Sequence, residues 1–288
     1  MRIFLRFAVT VAGLGIAVIS SDAAGQKPSD PKADKKKPVA AAPAPIDVKP
    51  IVAKLKTGDE AQIKEALDEA RLAGPTGAAA APAVAEVLTR GLSLPLTQSA
   101  VETLGDLESD TGSAALAQYT LHRNAKVRRA AVKALTRTKG AAASGALKRA
   151  LSDGDAVVRG TAASGLGALK AKDAVPDLFT ALDHRVNEAA ASIGQLCSAE
   201  QCEQLAGRLG KIPFDVVTGG LDQVLFRPAA DVPDDAKVKI IGRIREQGTV
   251  EGNKFLRDVQ KRAVAPAASA RVRQALDQAV MATAGGAK

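Results

Sequence analysis

Leu104, Leu135 and Leu166 stand 31 residues apart, and so do Leu116, Leu147 and Leu178, and Ala100, Ala131 and Ala162. Ladders that share one spacing mean that the chain reuses a single supersecondary unit. The text around them repeats too: Val127–Leu135 reads VRRAAVKAL, and Val158–Leu166 answers VRGTAASGL. Within a unit, Val127, Ala130, Ala131, Ala134 and Leu135 follow the i, i+3, i+4, i+7, i+8 pattern of an amphipathic helix. Gly140 and its neighbours break that helix. Ala146, Leu147, Ala150 and Leu151 then form a second, shorter apolar stripe, and Ser152-Asp153-Gly154-Asp155 ends the unit. No sustained period-2 alternation marks a strand. The expected fold is all-α, an α-solenoid of stacked helix pairs.

The ends of the chain read differently. Arg2 and Arg6 precede an uncharged, mostly apolar run, Phe7 to Ile19, and Ser21-Asp22-Ala23 places small residues where a signal peptidase reads. Residues 1–23 are therefore expected to be a signal peptide cut after Ala23. The run is shorter than the about 20 residues a bilayer span needs, so no transmembrane span is expected after its removal. Residues 24–49 are rich in Pro, Ala and Lys, with six lysines against three aspartates. They bury too little to offset ordering and read as a disordered tether. These 26 residues carry +3 of the formal net charge of +9, a higher density than the +5 spread over residues 50–288, so the body is only mildly basic. With no Trp, one Tyr and six Phe, the core has to be aliphatic, which speaks against an aromatic ligand pocket.

Ser152 to His184, SDGDAVVRGTAASGLGALKAKDAVPDLFTALDH, resembles the HEAT repeat in its short alanine-rich form, of the kind also found in phycobilisome-lyase-like repeats. The residues carrying the resemblance are Asp155, Val158, Arg159, Ala162, Ala163, Leu166, Gly167, Val175, Pro176, Leu178 and Leu182. Downstream, Ile193, Gly194, Leu196, Leu205 and Leu209 match at a spacing of 27, and upstream Pro82, Val84 and Leu88 echo Pro176, Leu178 and Leu182. Residues 50–211 are expected to be HEAT-like repeats. From Ile212 the register is poor, with Gly219-Gly220 inside a helix position and Pro213, Pro228 and Pro233 interrupting. Residues 212–284 are expected to be irregular terminal repeats that close the core. The resemblance implies that turn aspartates (Asp153, Asp155) and helix arginines (Arg128, Arg159) tie successive repeats together.

Candidate chemistry is sparse. Cys197 and Cys202 flank Ser198-Ala199-Glu200-Gln201, a capping-box sequence that bends one helix into the next. In an exported chain a disulfide is expected there, worth about 2 kcal/mol before strain; two buried thiols and a redox or metal pair are the alternatives. His122 and His184 sit two repeats apart in turns, too far from each other to share a metal, and neither has ligands at zinc spacing. The helical glycines Gly160, Gly165 and Gly167 are read as close-approach positions rather than a phosphate loop. Lys126, Lys133, Arg137, Lys139, Lys148 and Arg149 make one region locally basic. No nucleophile–base set, P-loop or H-E-x-x-H motif is present. The expected function is a non-enzymatic protein-binding scaffold of the cell envelope, periplasmic or secreted, without cofactor or nucleic acid. Its partner contacts are expected on second helices, at Lys148, Arg149, Asp177 and Thr180. The rivals are a tether-driven binder of an anionic envelope polymer or membrane surface, and a lyase-like or redox enzyme.

Overall fold

The computed structural model describes residues 44–138 and 141–284. The expected signal peptide (1–23), tether residues 24–43 and the break at Gly140 lie outside them. The described residues form fifteen α-helices joined by short turns. They are α1 (Lys49–Lys56), α2 (Glu60–Ala73), α3 (Ala81–Thr89), α4 (Leu94–Asp106), α5 (Ser113–Tyr119), α6 (Ala125–Leu135), α7 (Ala141–Ala150) and α8 (Ala156–Ala168). Then come α9 (Val175–Asp183), α10 (Glu188–Leu196), α11 (Ala199–Ala206), α12 (Phe214–Leu225), α13 (Asp234–Glu246), α14 (Val250–Arg262) and α15 (Ala270–Ala284). After α1 they alternate as first and second helices of successive pairs, starting with α2 and α3. First helices stack in one row, α2, α4, α6, α8, α10, α12, α14; among the second helices α5 packs on α7, α11 on α13 and α13 on α15. The fold is an all-α repeat solenoid. None of the described helices is long and apolar enough to cross a membrane. Folded chain begins slightly earlier than expected: α1 starts at Lys49, and the Ile46 amide already donates to the Thr76 carbonyl at 3.3 Å.

Side-chain caps start four of the first helices, α2, α6, α8 and α14. The Asp155 carboxylate accepts from the amides of Val157 and Val158, and Asn124, one period earlier, accepts from Lys126. Asp59 and Thr249 cap α2 and α14 in the same way. Each such cap satisfies amides that the first helical turn leaves without partners, typically about 1 kcal/mol. The ladder residues then point inward. Leu104, Leu135, Leu166, Leu116, Leu147 and Leu178 are all fully buried, as are Ala100, Ala131 and Ala162.

Stacking of the first helices obeys a rule finer than the leucine ladder. From α4 to α12, the residue after each ladder position packs on the residue before the next one, and at least one of the two is glycine. The pairs are Gly105 with Ala134, Thr136 with Gly165, Gly167 with Ser192, and Gly194 with Gly220. The last pair carries the ladder through Ile193 to Leu221, across the expected boundary at 211/212. A methyl group on Gly194 would lie 2.1 Å from the Gly220 carbonyl oxygen, and one on Gly220 would lie 2.3 Å from the Ala190 carbonyl oxygen. Gly219-Gly220 therefore does not interrupt the array. It lies inside α12 because Gly220 lets that helix backbone reach α10. Where the small residue is polar it also bridges helices: Ser192 Oγ donates to the Ala163 carbonyl at 2.8 Å.

The irregular connection after α12 is fastened as well. Arg227 donates through Nη1 to the Cys197 carbonyl at 2.7 Å and to the Gly194 carbonyl at 3.3 Å. The Arg227 carbonyl in turn accepts from the buried ammonium of Lys237, whose pKa is pushed down by burial. Val232, mid-connection, is fully buried.

Charged side chains link neighbouring pairs. Arg128 Nε and Nη2 hold the two carboxylate oxygens of Asp153 at 2.8 and 2.9 Å, and Arg129 grips Asp155. Arg137 pairs with Asp106, and Lys148 with Asp173 at 2.6 Å. Of the expected basic patch, Arg137 and Lys148 are thus neutralised by acids of adjacent units. Arg129 pulls the Asp155 carboxyl down to about 2; partial desolvation opposes this, and the Val158 and Val157 amides assist it.

Two outcomes follow from this packing. Gly220→Ala is expected to destabilise the protein by about 2–3 kcal/mol, because a backbone oxygen cannot retreat from the new methyl. Gly219→Ala, in the same helix with no atom within 4 Å of its added methyl, is expected to be neutral or stabilising by up to about 1 kcal/mol. Urea unfolding of both variants checks the pair. Asp155→Asn keeps an N-cap but removes the ion pair with Arg129. The pair's contribution is complete above the ordinary carboxyl pKa of 3.8 and is lost as pH falls through about 2. The melting-temperature gap between parent and Asp155→Asn is therefore expected to be widest at neutral pH and to close over that acidic window.

Candidate functional site

The second helices α7 and α9 enclose an open cleft of about 490 Å³. Its lining is Lys148, Leu151, Ser152 and Asp153 from the end of α7 and the turn after it, Arg159 from α8, and Asp177, Thr180, Ala181 and His184 from α9 and its C-terminal turn. Three of the four residues expected to contact a partner, Lys148, Asp177 and Thr180, meet in this one cleft. Arg149 is exposed but does not line it, because one residue along a helix turns a side chain about 100° away from its neighbour.

Lys148 spans the cleft mouth. Its ammonium is 2.6 Å from Asp173 and 3.8 Å from Asp177, and the bond to Asp173 raises its pKa above the ordinary lysine value. The cation is thus partly engaged, whereas the Asp177 side chain is half exposed. Thr180 donates to the Pro176 carbonyl at 3.2 Å within its own helix. Leu151 and Ala181 give the floor a small apolar element, both buried.

Arg159 is the residue that reading the sequence assigned only a tying role. Its Nη1 donates to the carbonyls of Asp153 at 2.8 Å and Gly154 at 3.2 Å. Arg128, one period earlier, places Nη1 on the equivalent carbonyls, His122 at 3.0 Å and Arg123 at 3.3 Å. The two guanidinium groups are therefore fixed on the backbone in the same manner. They differ on the other edge. Arg128 grips Asp153, a pair that is mostly buried. Asp153 is subject to burial, which pushes its pKa up, but Arg128 and the Asp155 amide outweigh it, and the carboxyl sits below its ordinary value. The position that corresponds to Asp153 one period on is His184, which is exposed. No carboxylate ion-pairs with Arg159 among the described residues. The tie between repeats expected at Arg128, Asp153 and Asp155 is present, and at Arg159 it stops at backbone carbonyls.

His122 belongs to the same positional series, at 31 residues before Asp153. Its ring stacks on Tyr119 with centroids 6.1 Å apart, and its Nδ1 accepts from the Asn124 amide at 3.1 Å. Thr97 stands where the arginine would be, and the hollow beside His122 is apolar, lined by Ala85, Leu88, Ala115 and the exposed Leu121. The turn series His122, Asp153, His184 was legible as a fourth ladder, in which His184 stands where Asp153 stood one period earlier.

Cys197 and Cys202 are joined by a disulfide, with Cα atoms 5.3 Å apart. Both residues are buried, and Ser198 and Gln201 complete the capping box between them. The Arg227 guanidinium lies 3.7 Å from the Cys197 sulfur and 4.0 Å from that of Cys202. The bridge closes the α10–α11 corner, and Arg227 fastens that corner to the connection that follows α12.

Among solved structures, the chain is similar to the CpcE–CpcF complex of phycocyanin lyase from Nostoc sp. PCC7120, at 19% identity and a TM-score of 0.43 over 87% of this chain and 99% of that one. It is also similar to a designed armadillo repeat protein in complex with the peptide (KR)4, at 14% identity and a TM-score of 0.37 over 83% of this chain and 100% of that one. Human deoxyhypusine hydroxylase gives 17% identity and a TM-score of 0.35 over 83% and 96%. No curated protein sequence matches the chain. Residues 143–225, the stretch from α7 to α12 that contains the cleft and the tightest helix crossing, match the family model of HEAT repeats.

Proposed function

We propose that the chain is a non-enzymatic scaffold that docks a protein partner on its second-helix row, with the cleft between α7 and α9 at the centre of the contact. The observation that carries this reading is the convergence of Lys148, Asp177, Thr180, Arg159 and His184 around one open cleft. Polar groups of both signs line a small apolar floor, which suits a polypeptide surface better than a reacting small molecule. Each repeat adds a shallow increment to such a surface, so affinity is built from several weak contacts.

The scaffold is proposed to work outside the cytoplasm, in the periplasm or beyond. The basic start, the apolar run Phe7 to Ile19 and the small residues before Ala24 support export. The Cys197–Cys202 bridge agrees with an oxidising compartment.

The test is capture of cross-linked partners by the C-terminally tagged full-length chain in its own cells. The expected result is a chain whose N-terminus is Ala24 and a discrete protein partner retained at high salt. Asp177→Lys with Thr180→Glu is expected to lower its recovery at least tenfold, while Arg149→Glu leaves it unchanged. Retention that vanishes at high salt and depends on residues 24–49 would instead favour the charge-driven envelope binder.

A further inference from the structure

We infer that Arg159 is a carboxylate-binding site, taking an Asp or Glu side chain of a partner polypeptide on its Nε–Nη2 edge. The protein itself contains the template for this contact. One period earlier, Arg128 is held by two backbone carbonyls through Nη1 and presents Nε and Nη2 to both oxygens of Asp153. Arg159 is held by the equivalent two carbonyls through the same nitrogen. The residue that would supply its carboxylate in register is His184, which cannot. The period thus builds a fork for a carboxylate and withholds the carboxylate, and it does so at the one arginine of the cleft.

Guanidinium and carboxylate match as two parallel N–H···O bonds, and an arginine already oriented by two carbonyls loses little freedom on binding. The surroundings select a singly charged ligand. Asp177 is half exposed on the opposite wall, so a phosphate dianion meets a fixed negative charge there, whereas Asp153 beside Arg159 is already neutralised by Arg128. Lys148 offsets Asp177 only in part, since Asp173 engages it first. His184 is exposed, lines the same cleft and places no acid of the chain on Arg159. The inference rests on the docking reading above and names the partner's anchor: an acidic side chain able to reach into the space between α7 and α9.

The test is an NMR titration of the full-length chain carrying ¹⁵N-labelled arginine, with the Arg159 Nε–H signal assigned by its loss in Arg159→Lys. The probes are acetyl-Gly-Glu-Gly-amide and its Gln counterpart. The Glu peptide is expected to shift the Arg159 signal saturably and the Gln peptide to leave it in place. His184→Asp restores the rung within the chain. Its Arg159 signal is expected near the peptide-bound position without ligand, and its response to the Glu peptide is expected to weaken at least tenfold. A signal that stays still, that moves equally with both peptides, or that responds undiminished in His184→Asp would overturn the assignment. The titration needs neither export nor a natural partner. A failed capture experiment beside a successful titration would remove the scaffold reading and leave the site standing.

Discussion

The architecture depends on how closely its first helices approach. From α4 to α12, where the residue after one ladder position meets the residue before the next, at least one is glycine, and between Gly194 and Gly220 the helix backbones themselves come into contact. Interiors are close-packed, so a spacing set by hydrogen atoms rather than side chains cannot absorb even a methyl group. That spacing fixes the middle of the row of first helices, and the second helices follow because each is tied to its partner by its connection and a buried aliphatic face, a leucine in most and Ile240, Ile241 and Ile244 in α13. An almost wholly aliphatic core is the consequence, with few aromatic side chains available to line a pocket.

Electrostatics then decorates this frame with the same period. Arg128–Asp153 and Arg129–Asp155 bind one unit to the next. The first of these pairs is largely withdrawn from solvent, where a bidentate contact has more to contribute than the marginal amounts typical of exposed ion pairs. The ladder stops at His184, and where it stops the second helices bound the cleft. A repeat protein acquires a site most economically in this way: one member of a structural series loses its internal partner, and the group left behind faces outward.

The helix pairs were legible because their signal is redundant. Leu104, Leu135 and Leu166 say the same thing three times, and each is buried for the same reason. Gly219-Gly220 was harder, because glycine alone argues against a helix interior; only the neighbouring α10 backbone explains Gly220, and a partner 26 residues earlier is invisible without the stacking rule. Arg149 looked equivalent to Lys148 by composition but points elsewhere by helix geometry. Arg159 and His184 lay in plain view at the right spacing. Arg159 reads as an ordinary position of the repeat pattern and His184 as a turn residue; what distinguishes them is a missing acid, whose meaning the Arg128–Asp153 pair shows in space.

The most direct measurement is a crystal structure of the protein grown with the Glu tripeptide. The account predicts a carboxylate lying flat against Arg159, its oxygens at about 2.8–2.9 Å from Nε and Nη2 as Asp153 lies on Arg128, with Gly194 and Gly220 in backbone contact at the helix crossing. An Arg159 turned away from the Asp153 and Gly154 carbonyls, or one whose fork is already filled by an acid of its own chain, would contradict it.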